Sequence, residues 1–273
     1  MNTTTPAPAA SRTVVTDARS FATVPALPLY AMHVRMLVLE TLRVPIAVIG
    51  SMAFPALSLL FFVVPNRGVA DDPVFATQAV VSLSVFAVMV SALFNLGLTV
   101  AENREKPWDP YLRSLPLPAA VRISAQLTAT AMLSFLSLVP VLIVGALATE
   151  ATVSLLGLIA GLAVLALSSI PFLLLGAAIG YAFSSKAAIA VIQVGMFGFA
   201  FGGGLFFPPQ FFPDWLETLS RFFPSRHARE LTLAAVEGTT PELWMLAGAL
   251  AWTLATAALA VWLYRRDEGR RYR

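Results

Sequence analysis

From residue 29 onward the chain alternates long apolar runs with short charged breaks. Six runs reach the roughly twenty apolar residues that a bilayer crossing requires: 44–64, 74–100, 123–147, 153–183, 187–207 and 243–264. The fourth is too long for one upright helix and carries Ser168, Ser169 and Pro171 at its middle, which predicts a tilt or kink there. The pattern predicts an all-α membrane protein with six transmembrane helices. Residues 1–28, rich in Thr, Ala and Pro, are expected to form a disordered tail. Residues 29–264 would form the transmembrane domain and 265–273 a basic tail.

Charge sets the expected orientation. With the N-terminus in the cytoplasm, fourteen of the eighteen Lys and Arg residues fall in cytoplasmic segments, the bias that places such loops inside. Both termini are therefore expected in the cytoplasm of a multi-pass plasma-membrane protein. Overall, 58% of residues are hydrophobic and 12% charged, about half the charged fraction of a soluble domain. The tail "YRRDEGRRYR" is basic, but it follows a span, where such residues meet anionic lipid. No element that reads nucleic acid accompanies it, so membrane lipid is the expected partner and nucleic acid is not.

The chain has no cysteine, and its two histidines, His33 and His227, lie far apart. No catalytic, cofactor-binding or metal site is read here. The six runs hold no Asp, Glu, Lys, Arg or His, which disfavours an ion-coupled carrier or channel, because such proteins hold coupling charges within their spans. A non-transporting membrane scaffold is the remaining alternative. Asn95 and Gln193 could hydrogen-bond a substrate along a path that Met196 and Phe197 would share, or they could pair helix to helix. No P-loop is present, so energy from ATP would have to come from a separate chain.

Between the second and third runs stands "ENREKPWDPYLRSLPLPAAVR", with mixed charge, four prolines and the aromatics Trp108 and Tyr111. Proline fixes the backbone and large aromatics make contact surface, so the loop suits a protein partner as well as an ordinary headgroup-level turn. With "RMLVLETLRVPIAVIGSMAFPALSLLFF" before it and "GLFFPPQFFPDWLETLSRFFPSRHARE" after the fifth run, it resembles the type-2 ATP-binding-cassette exporter permeases. The resemblance covers about residues 29 to 264. Lys106-Pro107 stands where that family often carries Gly, making the loop's start stiffer.

The resemblance implies an N-terminal interfacial helix and a re-entrant or interfacial helical segment between the fifth and sixth spans. It also implies a second permease subunit, as homodimer or related heterodimer, and separate ATPase subunits that hold ATP and magnesium, this chain binding none. Glu102, Arg104, Glu105, Trp108, Asp109 and Arg113 would then contact the ATPase. Phe206, Phe207, Phe212, Trp215 and Phe223 would belong to an outer lid, or else to a rim anchor. Gly195, Gly198 and Gly202 share one helical face, suited to close packing either between subunits or within one. Gly157/Gly161 and Gly176/Gly180 repeat the spacing.

Overall fold

The computed structural model describes residues 26–43, 45–107 and 119–271, and every regular element among them is helical. Helix α1 (Ala26–Leu42) precedes α2 (Pro45–Ser58), which contains Pro55 and runs into a π turn, Leu59–Val63. A short α3 (Arg67–Ala70) leads to α4 (Pro73–Ser91). There the Asp72 carboxylate accepts from Val74 N (2.8 Å) and Phe75 N (3.0 Å), and Pro73 supplies the first turn, where no N–H is needed. A second π turn, Ala92–Leu96, carries α4 on into α5 (Gly97–Glu105).

The third run folds as α6 (Ala119–Leu136) and α7 (Leu138–Ala148), which meet at Ser137. The fourth breaks at Ser169 into α8 (Leu155–Ser168) and α9 (Ile170–Ala182). This is the predicted kink: Pro171 brings no N–H to the ladder, and Ser169 Oγ donates to Ala166 O at 2.7 Å. Next come α10 (Ser185–Gly202), α11 (Asp214–Ser220), α12 (Pro224–Glu237) and α13 (Leu243–Arg271).

Five of the predicted spans are helices long and apolar enough to cross a membrane: Pro73–Glu105, Val121–Ala148, Leu155–Ala182, Ser185–Gly202 and Leu243–Asp267. In the first run the described apolar stretch is the shorter Met52–Val63. Two ends differ from the sequence reading. The fifth helix stops at Gly202, because the chain turns at Gly203 and Gly204, the latter at φ 77°. The sixth continues as helix to Arg271, through residues read as a tail.

Pro73–Glu105 is the central element, with 78% of its most apolar window buried against 17–39% for the other four. Fully enclosed Phe86, Met89, Leu93 and Leu96 from it make the middle of the core with Phe172, Ile192 and Leu59. Glycines set its closest approach, to α9. A Cβ on Gly180 would stand 2.6 Å from Gly97 O, and one on Gly176 3.0 Å from Ala92 O. Gly157 and Gly161 likewise press α8 onto Val236 of α12.

Helices α11 and α12 form the pair between the fifth and sixth spans. Despite its charges, α12 is mostly buried: Ser225, Arg226, His227, Ala228, Arg229 and Leu231 are all enclosed. Arg229 donates to Ser82 Oγ at 2.8 Å and pairs with Glu230, which also stands 3.1 Å from Arg226. Buried charges persist when paired in this way. Burial holds the His227 imidazole below its ordinary pKa, against the opposing pull of Phe223 O, and its ring fills the space over Gly248.

Candidate functional site

A cavity of about 810 Å³ lies beside the central helix, within the range of ligand pockets. One wall comes from α4, the π turn and α5: Val90, Phe94, Asn95, Leu98, Thr99 and Glu102. The others come from α6 (Gln126, Thr130, Leu133), α10 (Gln193, Met196, Phe197), α1 (Leu37, Glu40, Thr41) and Phe54 of α2. All four residues predicted for a substrate path, Asn95, Gln193, Met196 and Phe197, thus line one cavity. Asn95 sits in the π turn, whose extra residue aims it inward, and its amide donates to Ser91 Oγ at 2.8 Å.

The α1 contribution was not legible in the sequence. Helix α1 lies along α6, fixed by Tyr30 OH and Thr128 Oγ1 at 2.6 Å, and so turns Glu40 and Thr41 into the cavity. The one available signal was Glu40 itself, the single acidic residue of α1.

From the cavity a file of aromatic rings leads toward the segment before α11. Phe197 to Phe54 is 6.5 Å, Phe54 to Phe86 5.7 Å, and Phe86 to Phe206 4.8 Å. Phe206 then meets Phe201 at 5.1 Å, and Phe201 meets Phe207 at 6.2 Å. Such tilted and offset rings add attraction beyond the area they bury. Of the other predicted lid residues, Phe223 packs on Phe199 at 6.0 Å, Phe212 is half-buried and Trp215 is exposed.

At the opposite end, two of the predicted loop contacts are engaged within the chain. The Arg104 guanidinium donates to Asp267 Oδ1 from Nε (3.0 Å) and Nη2 (2.6 Å), and to Gly180 O from Nη1 (2.7 Å). It fastens the end of α5 to α9 and α13. Glu105 accepts from Ser185 N (2.9 Å) and Ser185 Oγ (2.6 Å), holding the first residue of α10. Glu102 is exposed at the cavity's edge. Trp108, Asp109 and Arg113 lie outside the described residues.

The α10 glycines separate into two kinds. A Cβ on Gly202 would meet Phe223 of the same chain at 2.4 Å, whereas Gly195 and Gly198 have nothing within 4 Å. Val194 and Phe201, on the same open side, are exposed. Among the described residues no cluster of three or more acidic or His side chains could hold a metal.

The sequence profile of the ABC-2 family transporter protein matches residues 64–264, from just after the first π turn into α13. The chain belongs to that family. A Bacillus subtilis (strain 168) protein named as a transport permease, YvfS, is 27% identical over 231 residues, 84% of this chain and 94% of that one. The ABC-2 assignment makes this chain a multi-pass transporter membrane subunit. The matched region holds the α4, α6 and α10 walls of the cavity and the end of α5, while α1 and Phe54 lie before it and Asp267 after it.

Proposed function

We propose that this chain is the permease of an ATP-driven exporter, moving a hydrophobic or amphipathic molecule, drug-, antibiotic- or lipid-like, out of the cytoplasm or the inner leaflet by alternating access. The cavity carries this reading, since it is large enough for a drug-sized cargo and most of its lining lies within the region that matches the transporter family. In this reading the chain crosses the plasma membrane six times, α1 lies at the interface, and both termini and the loop after α5 face the cytoplasm. Two permeases, identical or related, work with separate ATPase subunits that bind ATP and magnesium.

The loop takes the push of the closing ATPases through Glu102, Trp108, Asp109 and Arg113. Arg104 and Glu105 pass it on, since they tie the loop's root to α9, α13 and the start of α10. Motion of α10 shifts Gln193, Met196 and Phe197 in the cavity wall and parts the aromatic file. A state change of this kind requires contacts that differ between the two states.

The open α10 face, Gly195 and Gly198, is assigned to the second permease. Coexpressed with its ATPase, the chain should purify as a complex holding two permeases. Gly198→Leu should weaken permease self-association at least tenfold in native electrophoresis while the ATPase still binds one permease. Full export by reconstituted permease lacking any ATPase would refute the exporter reading, and an intact Gly198→Leu dimer would return that face to lipid.

Phe212 and Trp215 are assigned to an outer lid over the exit. With no native thiol in the chain, Trp215→Cys gives a clean probe. Its labelling by an impermeant maleimide added outside should change at least twofold between nucleotide-free and ATP-trapped transporter. Equal labelling would make the segment a rim anchor.

A further inference from the structure

The cavity is electrically lopsided. Its inner reach is walled by Phe54, Val90, Leu133, Met196 and Phe197, and its middle by neutral amides and hydroxyls such as Asn95, Gln126 and Gln193. Charge enters only near the end of α5, where the lining holds Glu102 and Lys106, with Glu40 facing in from α1. The cation nearest in sequence, Arg104, is turned away into its pairing with Asp267. Lys106 Nζ donates to Asn103 Oδ1 at 2.7 Å, so part of its capacity is met inside the wall. Among the described lining residues, two carboxylates therefore stand against one ammonium. Both carboxylates are exposed, where a cargo can reach them.

We propose that Glu40 and Glu102 make this cavity selective for cationic amphiphiles, molecules with a positive head and a bulky apolar or aromatic body. The head sits between the carboxylates of α1 and α5. The body lies along Leu98 and Phe94 toward Phe54 and Phe197, and those rings favour a delocalised cation as it advances. An anionic amphiphile of the same shape meets net repulsion at the mouth, and among the described lining residues no guanidinium compensates it. The amides at mid-depth hydrogen-bond neutral polar groups and are indifferent to sign. Glu102 has a second part in this account: it stands on the helix that the loop drives, so its carboxylate would move with the ATPase and leave the cation less well held after the stroke.

This inference rests on the transport reading of the cavity, and the test separates the two. Binding of tetraphenylphosphonium and of tetraphenylborate, nearly identical in shape and opposite in charge, is measured on the purified permease–ATPase complex. Wild type is compared with the Glu40→Gln/Glu102→Gln variant in the same detergent, so that partitioning into micelles cancels. The variant should bind the cation about tenfold more weakly, as expected for loss of a charge-assisted contact, and should bind the anion as well as wild type or better. The Glu40→Asp/Glu102→Asp variant should keep the cation preference. An equal fall for both ions would show the carboxylates to be structural, and no change for either would show that the mouth does not read charge; each overturns the selectivity. Failure of wild type to bind either ion would overturn the cavity reading itself.

Discussion

Arg104→Ala should lower substrate-stimulated ATP hydrolysis of the assembled transporter about tenfold, and destabilise the permease by about 3–5 kcal/mol, the usual consequence of stripping one partner from a buried ion pair. The Asp267 side chain is only 6% exposed and Arg104 21%, so water cannot replace what is lost. Asp267→Asn decides between two roles for the arginine. If Arg104 served only to touch the ATPase, a change 163 residues along the chain would leave coupling intact. If it fastens α5 to α13, Asp267→Asn should reproduce most of the defect, and the double substitution should cost clearly less than the sum of the two. Additive losses, read from thermal unfolding and stimulated hydrolysis, would remove the fastening role.

Gly180→Val should be strongly damaging. Its Cβ would stand 2.6 Å from Gly97 O and 2.7 Å from Val100 Cβ, and a backbone oxygen cannot step aside without moving the helix. Separation of α9 from α5 also draws Gly180 O away from Arg104. Overpacking of this kind costs about 1–3 kcal/mol or more, and here it falls on the central helix, so little folded protein should survive in a detergent melt. Gly68→Val, where an added Cβ meets nothing closer than Asn66 Oδ1 at 3.5 Å, is the matched control and should melt within a degree or two of wild type. Similar melting of the two would mean that the α5–α9 approach is looser than described.

Five spans were legible because apolar length alone marks them, and the break in the fourth run because Pro171 has no N–H to give. Asn95 and Gln193 stood out as amides in apolar runs, Met196 and Phe197 by their size. Whether the four would face one space depended on the packing of α4 and α10 with their neighbours, which no local pattern encodes. The same holds for the repeated glycine spacing. The motif is identical in α8, α9 and α10, but only the neighbours show that Gly176 and Gly180 are filled from within while Gly195 and Gly198 are not. The burial of Arg229 had no local sign because its partner Ser82 lies 147 residues away. Glu105 read only as an ATPase contact because its partner Ser185 lies 80 residues away.

The π turn at Ala92–Leu96 fixes the angular phase of everything that follows it. Each α-helical residue advances by about 100°, and a turn holding one residue extra offsets all later positions by about that amount. A helical wheel drawn straight through Pro73–Glu105 therefore assigns Thr99, Glu102 and Arg104 to the wrong sides. In a relative lacking one residue in this stretch, the equivalents of Thr99 and Glu102 would rotate out of the cavity and that of Arg104 off its carboxylate. The length of a five-residue segment in mid-helix is thus a constraint that residue identities do not reveal.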